Sequence, residues 1–267
     1  MSATPVRPSK ALLAVSRFAR SRAILKRFWP SLLKSFAKRT WTDGVKVIET
    51  SRGILKLDYR NYVDRQIAFY GDFEASQLSL FLGKMRERGC DVFLDIGANI
   101  GVYSVGAQLE GKPKRTIAFE PDQRNMSRLK ENLALNGLTS RVEITNKAVS
   151  AESGIVSFLP AGETVTGKSR VGQGADAIQL DAVALDDLFD FKNKRLFIKI
   201  DIEEHELKAV MGMTRLLSEN RVFLQIECFD ENLSALTDAL TALGFTSVNA
   251  IDEDRYFSND GSYKSVT

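Results

Sequence analysis

Histidine and cysteine are scarce in this sequence. Its 267 residues contain one histidine and two cysteines, Cys90 and Cys228, which are too few for a disulfide framework and make a zinc site hard to build. We therefore expect a reducing compartment and assign no metal site. No apolar run reaches the roughly 20 residues that cross a bilayer, so we expect a soluble, cytoplasmic protein. A composition of 44% hydrophobic and 27% charged residues excludes wholesale disorder.

Acidic side chains are absent from the first 42 residues. Ten of the 37 basic residues and none of the 34 acidic ones lie there, so residues 1–42 carry +10, whereas residues 43–267, with 27 basic and 34 acidic groups, carry −7. Apolar periodicity predicts an amphipathic helix over residues 10–29 that Pro30 ends or kinks. A second basic stretch, 31–41, follows it. We expect residues 1–42 to form a basic, amphipathic helical extension.

Three roles fit this extension. Arginines beside apolar side chains suit a helix that lies on an anionic membrane, and residues 10–41 would then hold the protein peripherally on the inner face. An organelle presequence has the same composition, and a solvated helix packed on the next domain needs no partner. A secretory signal is disfavoured, because the apolar stretch at 11–15 is too short.

Residues 90–267 alternate between strand-like and helical patterns. Helical patterns, notably 123–136 and 203–219, fill most of the intervals between short apolar runs. These runs lie at 92–96, 116–120, 142–145, 196–201 and 222–227. Such alternation predicts an α/β fold, a mostly parallel sheet with helices on both faces.

Two further segments complete the predicted domain organisation. Residues 43–89 predict an N-terminal hairpin at 45–59 and a helix at 72–88, both packed on the core. Residues 146–190 interrupt the α/β alternation with a glycine-rich segment. They predict an insertion that carries a mobile loop and a hairpin, whose strands lie at 154–159 and 177–180.

The sharpest motif is the turn that follows the first strand of the α/β domain. Residues 92–104 are VFLDIGANIGVYS, in which the strand ends in Asp95 and the turn contains Gly97 and Gly101. Glycine lets the backbone approach a ligand closely, and free amides at a helix start can hold polar groups. The spacing D-x-G-x-N-x-G is neither the dinucleotide G-x-G-x-x-G nor a P-loop. It favours a ligand without a pyrophosphate and disfavours a nicotinamide dehydrogenase.

Glu120 closes the next predicted strand, nineteen residues after Gly101. In such folds an acidic residue at this point accepts hydrogen bonds from the ribose hydroxyls of a bound nucleotide. Because the carboxyl ends of adjacent parallel strands meet at one edge of the sheet, Asp95 and Glu120 together predict a nucleoside site.

In order and spacing, five segments closely resemble FkbM-type S-adenosylmethionine-dependent methyltransferases. The resemblance covers about residues 90–250, and its segments are DIGANIGVYS, AFEPDQRNMSRLKENLALNG, LDDLF, KIDIEEHELKAVMGM and LQIEC. It implies a class I methyltransferase, Rossmann-like fold and methyl transfer from S-adenosylmethionine to a hydroxyl, typically of a sugar in a glycan or glycolipid precursor. The cofactor-binding residues that we assign are Asp95, Gly97, Ala98, Asn99, Gly101, Glu120 and Pro121.

The acceptor chemistry should lie at the carboxyl ends of the fourth and fifth strands of the sheet. An alcohol needs its proton removed, or its oxygen held by a metal, before it attacks a methyl group. Lys199 lies in a strand that should be buried on both faces, where an unpaired ammonium is costly, so Asp201 is its expected partner. Together Asp201, Glu203 and Glu227 could raise a carboxylate pKa or bind a divalent cation.

We assign the catalytic site to Asp201, Glu203, His205 and Lys199. His205 titrates near neutrality, which suits a general base, although a packing role fits it as well. Glu206 is interpreted as a helix-surface charge. The related family usually has Glu-Gly where this chain has Glu203 and Glu204, so Glu204 is expected to narrow the acceptor pocket or alter activity.

Two other functions stay open. A nucleic-acid methyltransferase would use residues 1–42 to grip phosphates. The sequence disfavours this partner, since it lacks the Pro-Cys of base C5 methylation and the Asn-Pro-Pro-Tyr of adenine N6 methylation. A protein that binds the nucleoside without catalysis would fit the Glu204 departure. O-methylation of a sugar or glycolipid hydroxyl is the function that we rank first.

Overall fold

The computed structural model describes residues 4–71, 73–162 and 166–263. Its helices are α1 (Lys10–Arg20), α2 (Ala23–Thr40), α3 (Tyr62–Tyr70), α4 (Ala75–Arg88), α5 (Val102–Gly106), α6 (Gln123–Leu135), α7 (Leu185–Leu188), α8 (Glu206–Met211), α9 (Thr214–Ser218) and α10 (Asp230–Ala242). Its strands are β1 (Val45–Thr50), β2 (Gly53–Asp58), β3 (Val92–Ile96), β4 (Arg115–Phe119), β5 (Val142–Thr145), β6 (Ala148–Val149), β7 (Gly154–Leu159), β8 (Arg170–Val171), β9 (Ile178–Val183), β10 (Arg195–Ile200), β11 (Arg221–Glu227), β12 (Thr246–Ile251) and β13 (Asp254–Ser258).

A seven-stranded sheet forms the centre of the protein, in the order β12-β13-β11-β10-β3-β4-β5. The pairs from β11 to β5 are parallel, and β13 is antiparallel to both of its neighbours. The predicted fold class, a mostly parallel sheet of the class I methyltransferase type, is confirmed. The strand order reverses between β3 and β10, which is where such sheets open a crevice at the carboxyl ends of their strands.

Both faces of this sheet are covered by helices, as predicted. On one face aliphatic side chains of β3, β10 and β11 pack on α8, α9 and α10. On the other face the aromatic rings of Phe93, Phe197 and Phe223 pack around Phe81 of α4. With apolar contacts on both sides, the strands hold their carboxyl ends in fixed register.

The register of the sheet aligns polar side chains across neighbouring strands. Lys199 of β10 pairs with Asp95 of β3 on one side and with Gln225 of β11 on the other. Gln225 in turn pairs with Tyr256 of β13. Because laterally paired residues point to the same face of a sheet, these four side chains form one polar row within an otherwise apolar core.

A second sheet, in the order β6-β9-β7-β8, lies in the predicted insertion. The predicted strand at 154–159 is β7, and it pairs antiparallel with β9, which begins one residue after the predicted start at 177. Part of the predicted loop, residues 163–165, lies outside the described residues. The N-terminal hairpin is also present, as β1 and β2.

The N-terminal extension is helical, but its break is not at the predicted position. The structure has two helices that meet at Ser21 and Arg22, and Pro30 lies inside α2. The reason is tertiary: Trp29 Nε1 donates to Ser16 Oγ at 3.0 Å, whereas residues 13 apart in one continuous helix would be about 20 Å apart. Ala19, near the end of α1, is buried. Within the described ranges, no helix has the length and apolar character needed to cross a membrane.

Candidate active site

The turn after β3 is held in place by the neighbouring strand ends. Gly97 has a φ of 84°, in the left-handed region, and a Cβ there would lie 1.8 Å from the carbonyl oxygen of Asp201. The N–H groups of Gly97 and Ala98 both donate to the carbonyl of Phe119 at 3.0 Å. Only glycine fits at this position, and the turn is thereby tied to the ends of both β4 and β10.

Asp95, at the end of β3, is almost fully buried. Its Oδ2 accepts a hydrogen bond from Ser104 Oγ at 2.6 Å, while Oδ1 has no hydrogen-bond partner among the described residues. Burial raises the pKa of Asp95, and the nearby Lys199 opposes that rise. A buried carboxylate oxygen without a partner is costly, so this atom is available to a polar group that enters the turn.

Glu120 lies directly after β4 and is buried beside the same turn. Its Oε2 accepts from the N–H of Asn99 at 2.7 Å and its Oε1 from the N–H of Asp122 at 2.8 Å. Burial raises the pKa of Glu120 to about 8, although these backbone donors favour the ionised form. Because each carboxylate oxygen can accept more than one hydrogen bond, Glu120 can still bind donors such as ribose hydroxyls.

Lys199 and Asp201 form the predicted ion pair. Lys199 Nζ lies 2.7 Å from Asp201 Oδ2 and 4.6 Å from the centre of the Tyr103 ring. Burial lowers the pKa of Lys199, but the carboxylates of Asp201, Glu74 and Asp95 outweigh it and raise the pKa above its ordinary value. Burial likewise opposes ionisation of Asp201, yet Lys199 keeps the pKa of Asp201 below its usual value. Both groups are therefore charged at neutral pH.

Three carboxyl groups come together beside this pair. Oxygen atoms of Asp201, Glu203 and Glu227 lie within 4.8 Å of one another. Burial, followed by repulsion from Asp201, raises the pKa of Glu203 to about 7. The same two causes raise the pKa of Glu227 further, and its protonated carboxyl donates a hydrogen bond to Asp201. In this cluster Asp201 is a carboxylate, Glu227 is protonated and Glu203 titrates near neutrality.

The segment after β10 is a loop and not the start of the predicted helix 203–219. Glu203 and Glu204 have φ values of 54° and 74°, and α8 begins only at Glu206. The interpretation of Glu206 as a surface charge was wrong: it is buried, and its Oε1 accepts from the N–H groups of Ile202 and Glu204 at 3.3 and 3.2 Å. Glu206 thus holds the loop that presents Glu203.

Glu204 is not a member of the three-carboxyl cluster. Its side chain is half exposed and lies 3.7 Å from Arg170 of β8. Its left-handed φ explains why the related family can use glycine at this position, since glycine adopts such a φ without strain. The described residues that line the hollows near Glu203 do not include Glu204, so the expected narrowing of the pocket has no structural support.

His205 lies apart from the other three assigned catalytic residues. Its Nε2 is 3.0 Å from Ser150 Oγ, next to the second sheet, and it lines neither hollow described below. Burial lowers the pKa of His205, and Lys208 lowers it further. A neutral imidazole that hydrogen-bonds Ser150 matches the packing role that the sequence left open.

Two hollows meet at the carboxyl edge of the sheet. The Glu120 hollow is lined by Glu120, Pro121, Asn125, Phe158, Val171 and Ile202, among others. The Glu203 hollow is lined by Val63, Arg65, Phe73, Lys168, Glu203 and Glu227, among others. Both hollows are also lined by Asn99, Gly167 and Asp201. Two ligands, one bound in each hollow, would therefore contact each other at this shared wall.

The comparison with protein families agrees with this geometry. The family described as "Methyltransferase FkbM domain" matches residues 95–247. The chain belongs to the FkbM methyltransferase family. The match begins at Asp95 and includes Gly97, Glu120 and the whole three-carboxyl cluster. The predicted membership of this family, and with it the prediction of a methyltransferase, is confirmed.

The individual proteins compared below share 28% or less of their aligned residues with this chain. The hexuronic acid methyltransferase AglP of Haloferax volcanii is 28% identical over 170 residues, which are 61% of this chain and 68% of AglP. The FkbM methyltransferase structure from Methylobacillus flagellatus is 22% identical with a TM-score of 0.47, over 63% of this chain and 43% of that one. An S-adenosylmethionine-dependent O-methyltransferase from Thermotoga maritima is 13% identical with a TM-score of 0.46, over 80% and 76% of the two chains.

The Glu203 hollow also has lining residues outside the FkbM match that the sequence analysis missed, among them Glu74. Glu74, just before α4, lines the Glu203 hollow and accepts a hydrogen bond from Tyr103 at 3.0 Å. Burial raises the pKa of Glu74 to about 7, against the opposing charge of Lys199. No motif or spacing marks this glutamate. Its backbone has a left-handed φ of 51° at the point where α4 begins.

Proposed function

We propose that this FkbM methyltransferase transfers a methyl group from S-adenosylmethionine to a hydroxyl oxygen of a sugar. The observation that carries the proposal is the wall shared by the Glu120 and Glu203 hollows, in which Asp201 lies between a nucleoside-type site and a carboxyl cluster. Methyl transfer requires the two reactants to meet in line, and adjoining hollows provide that placement.

The residues of the Glu120 hollow and the adjoining turn fit S-adenosylmethionine. Gly97 lines the Glu120 hollow, and the absence of its side chain lets the turn pack directly on the Asp201 carbonyl. The unpartnered Oδ1 of Asp95 suits an ammonium or hydroxyl donor, and Glu120 suits the ribose hydroxyls. When bound, S-adenosylmethionine supplies an electrophilic methyl group. Asn99 and Ala98 shape the turn, and Pro121 lines the base-facing side in this proposal.

Glu203 is the best-placed general base in the Glu203 hollow. Its pKa of about 7 puts a large fraction in the carboxylate form at neutral pH, which is the most effective range for a base. Glu203 would accept the hydroxyl proton at its carboxylate, while S-adenosylmethionine, when bound, would supply the methyl group and leave as S-adenosylhomocysteine with the electron pair of the broken sulfur–carbon bond. Lys199 keeps Asp201 ionised, and Asp201 can orient the hydroxyl before it is deprotonated.

The same cluster favours a hydroxyl over a carboxylate as the accepting group. AglP is named for hexuronic acid, a sugar that carries both kinds of oxygen. A carboxylate acceptor is already deprotonated, so it would gain nothing from Glu203, and it would be repelled by the charges of Asp201 and Glu203. An uncharged hydroxyl benefits from both residues. We therefore propose an ether-forming reaction on an uncharged sugar.

Alkali treatment of the product distinguishes these acceptors. Purified protein is incubated with S-adenosylmethionine that carries a radiolabelled methyl group, together with neutral methyl glycosides or with glucuronate. We expect label on the neutral sugars that survives mild alkali, because ethers resist it and methyl esters hydrolyse. Alkali-labile label confined to glucuronate would refute the hydroxyl assignment, and absence of transfer to every sugar would favour a binding protein without catalysis.

Calorimetric titration tests the cofactor separately. We expect the native chain to bind S-adenosylmethionine and Glu120→Ala to lose at least tenfold in affinity, since the two ribose hydrogen bonds that Glu120 accepts in this proposal contribute about 1 kcal/mol each. Reduced nicotinamide dinucleotide is the matched control ligand. Binding of the dinucleotide alone would overturn the cofactor proposal.

A further inference from the structure

The N-terminal helices expose an unusual number of large apolar side chains. Ile24 is 76% exposed, and Phe28 and Leu32 are each 60% exposed. Val15, Phe18, Leu25 and Phe36 are exposed by 41% or more. Exposed single hydrophobic residues are ordinary, but a contiguous group marks a surface that binds something.

Three of these side chains form a stripe along α2. Phe28, Leu32 and Phe36 recur every four residues, so they lie above one another on one side of the helix. The adjacent stripe of Trp29, Leu33 and Ala37 faces the protein and supplies the packing that anchors α2. The Phe28 stripe is therefore not needed to hold the helix in place.

Basic residues occupy the remaining side of α2. Arg27, Lys34 and Lys38 are exposed, and at about 100° per residue they form a third stripe. No acidic residue occurs in residues 1–42, which carry +10. Long basic side chains can reach sideways to phosphates while neighbouring apolar groups are buried.

This extension borders the Glu203 hollow. Arg17 Nε donates to the carbonyl of Tyr70, at the end of α3, at 2.9 Å. Arg20, at the end of α1, lines a further hollow together with Glu74 and Glu227, and both of those glutamates also line the Glu203 hollow. The end of α1 therefore lies next to the hollow that contains the carboxyl cluster.

We propose that α1 and α2 dock on an anionic lipid bilayer and that the acceptor sugar is carried by a lipid in that bilayer. Apolar and aromatic residues insert at the interface while basic residues meet the lipid phosphates. The negative surface potential of the cytoplasmic leaflet would attract a segment of +10. The part of this proposal that concerns the acceptor rests on the proposed function, whereas the docking does not.

Other occupants explain less of this surface. A second copy of the chain would bring two segments of +10 together, which is repulsive. A nucleic acid would satisfy the basic stripe, but it would leave the Phe28 stripe exposed to water. A bilayer with anionic headgroups offers phosphates to the basic stripe and an apolar interior to the Phe28 stripe, so it is the partner that accounts for both.

Vesicle flotation of the full chain tests the docking. Phosphatidylcholine vesicles are compared with vesicles that also contain phosphatidylglycerol. We expect the protein to float with the anionic vesicles only. The variant Arg27→Gln/Lys34→Gln/Lys38→Gln should bind about a hundredfold more weakly, since each basic residue near the surface contributes roughly a factor of five. The variant Phe28→Gln/Leu32→Gln/Phe36→Gln should lose binding by at least tenfold.

A matched control comes from the second sheet. Ile155 and Ile178 are 63% and 50% exposed and lie outside the extension, so Ile155→Gln/Ile178→Gln should float like the native chain. Flotation that is equal for all variants, flotation with neutral vesicles, or binding to RNA in place of vesicles would overturn the proposal. Each variant is also titrated with S-adenosylmethionine and assayed on soluble sugars. Normal results there with no flotation would refute docking alone, whereas flotation with no methyl transfer, either to soluble sugars or to a neutral glycolipid carried in the same vesicles, would refute only the proposed function.

Discussion

Lys199 Nζ donates to Asp201 Oδ2 at 2.7 Å from within the central sheet, and the carboxylates of Asp95 and Glu74 also act on the same ammonium. One buried cation therefore stabilises three acidic groups that belong to three separate segments of the chain. Loss of this cation should affect all three acidic groups together.

Lys199→Met should destabilise the protein by about 3 kcal/mol, because removal of one partner leaves buried charge uncompensated. The free energy of unfolding, measured by urea denaturation at pH 7, checks this value. Since Lys199 keeps the pKa of Asp201 below its ordinary value, the pair stabilises fully above about pH 4 and loses that effect as the pH falls further. The variant should therefore approach the native chain in acid. The double variant Lys199→Met/Asp201→Asn is the control, and failure to recover part of the loss would contradict the pairing.

Glu203→Gln should lower kcat by about a hundredfold or more, which is the usual contribution of a general base. In the native enzyme kcat should rise with pH up to about 7, where the Glu203 carboxyl loses its proton, and then level off. The neighbouring Glu204→Gln is the matched control and should keep the native pH profile. A pH profile in Glu203→Gln that still rises through pH 7 would assign the base to another group, with Glu74 as the next to test.

Gly97→Ala should abolish cofactor binding and destabilise the protein, because its Cβ would lie 1.8 Å from the Asp201 carbonyl. Gly83→Ala offers a contrasting control: nothing lies within 4 Å of a Cβ at this position in α4. There alanine should stabilise the helix by about 0.5–1 kcal/mol. Thermal unfolding and calorimetric titration of both variants measure the difference, and equal effects would mean that the turn can move away from β10.

Glu204→Gly should maintain or raise stability, by about 1 kcal/mol at most, since glycine relieves the left-handed φ of 74°. The contact with Arg170 is long and exposed and should contribute little. Glu204→Ala, which loses the same contact but keeps the strain, separates the two effects in a thermal melt. A large loss of stability only in Glu204→Gly would show that the backbone at this position is not strained.

The sequence predicted best those parts of the site whose residues lie close together along the chain. Asp95, Gly97 and Gly101 lie within seven residues, and strand alternation was enough to pair Lys199 with Asp201. Glu74 could not be found in this way, because it reaches the crevice from a segment with no motif. Glu206 was misinterpreted because helical periodicity was extended back through Glu203, whereas the chain there adopts positive φ values that depend on tertiary contacts.

The N-terminal extension is a second place where tertiary contacts override what the local sequence predicts. Pro30 was expected to end or kink a helix on local steric grounds, yet α2 continues past it. The inward side chains Leu33, Ala37 and Trp41 are buried against the hairpin and α3. Their packing outweighs the hydrogen bond that proline cannot make. Local rules predicted a helical extension correctly but could not predict where tertiary packing would fold it back.

The fold of the extension also provides a natural spectroscopic probe. The two tryptophans of the chain, Trp29 and Trp41, both lie there, with Trp29 hydrogen-bonded to Ser16. Intrinsic tryptophan fluorescence therefore reports on this region alone, and no tryptophan is among the described residues that line the Glu120 and Glu203 hollows. Events at α1 and α2 can thus be followed optically, without a label, by a signal that does not come from the lining of either hollow.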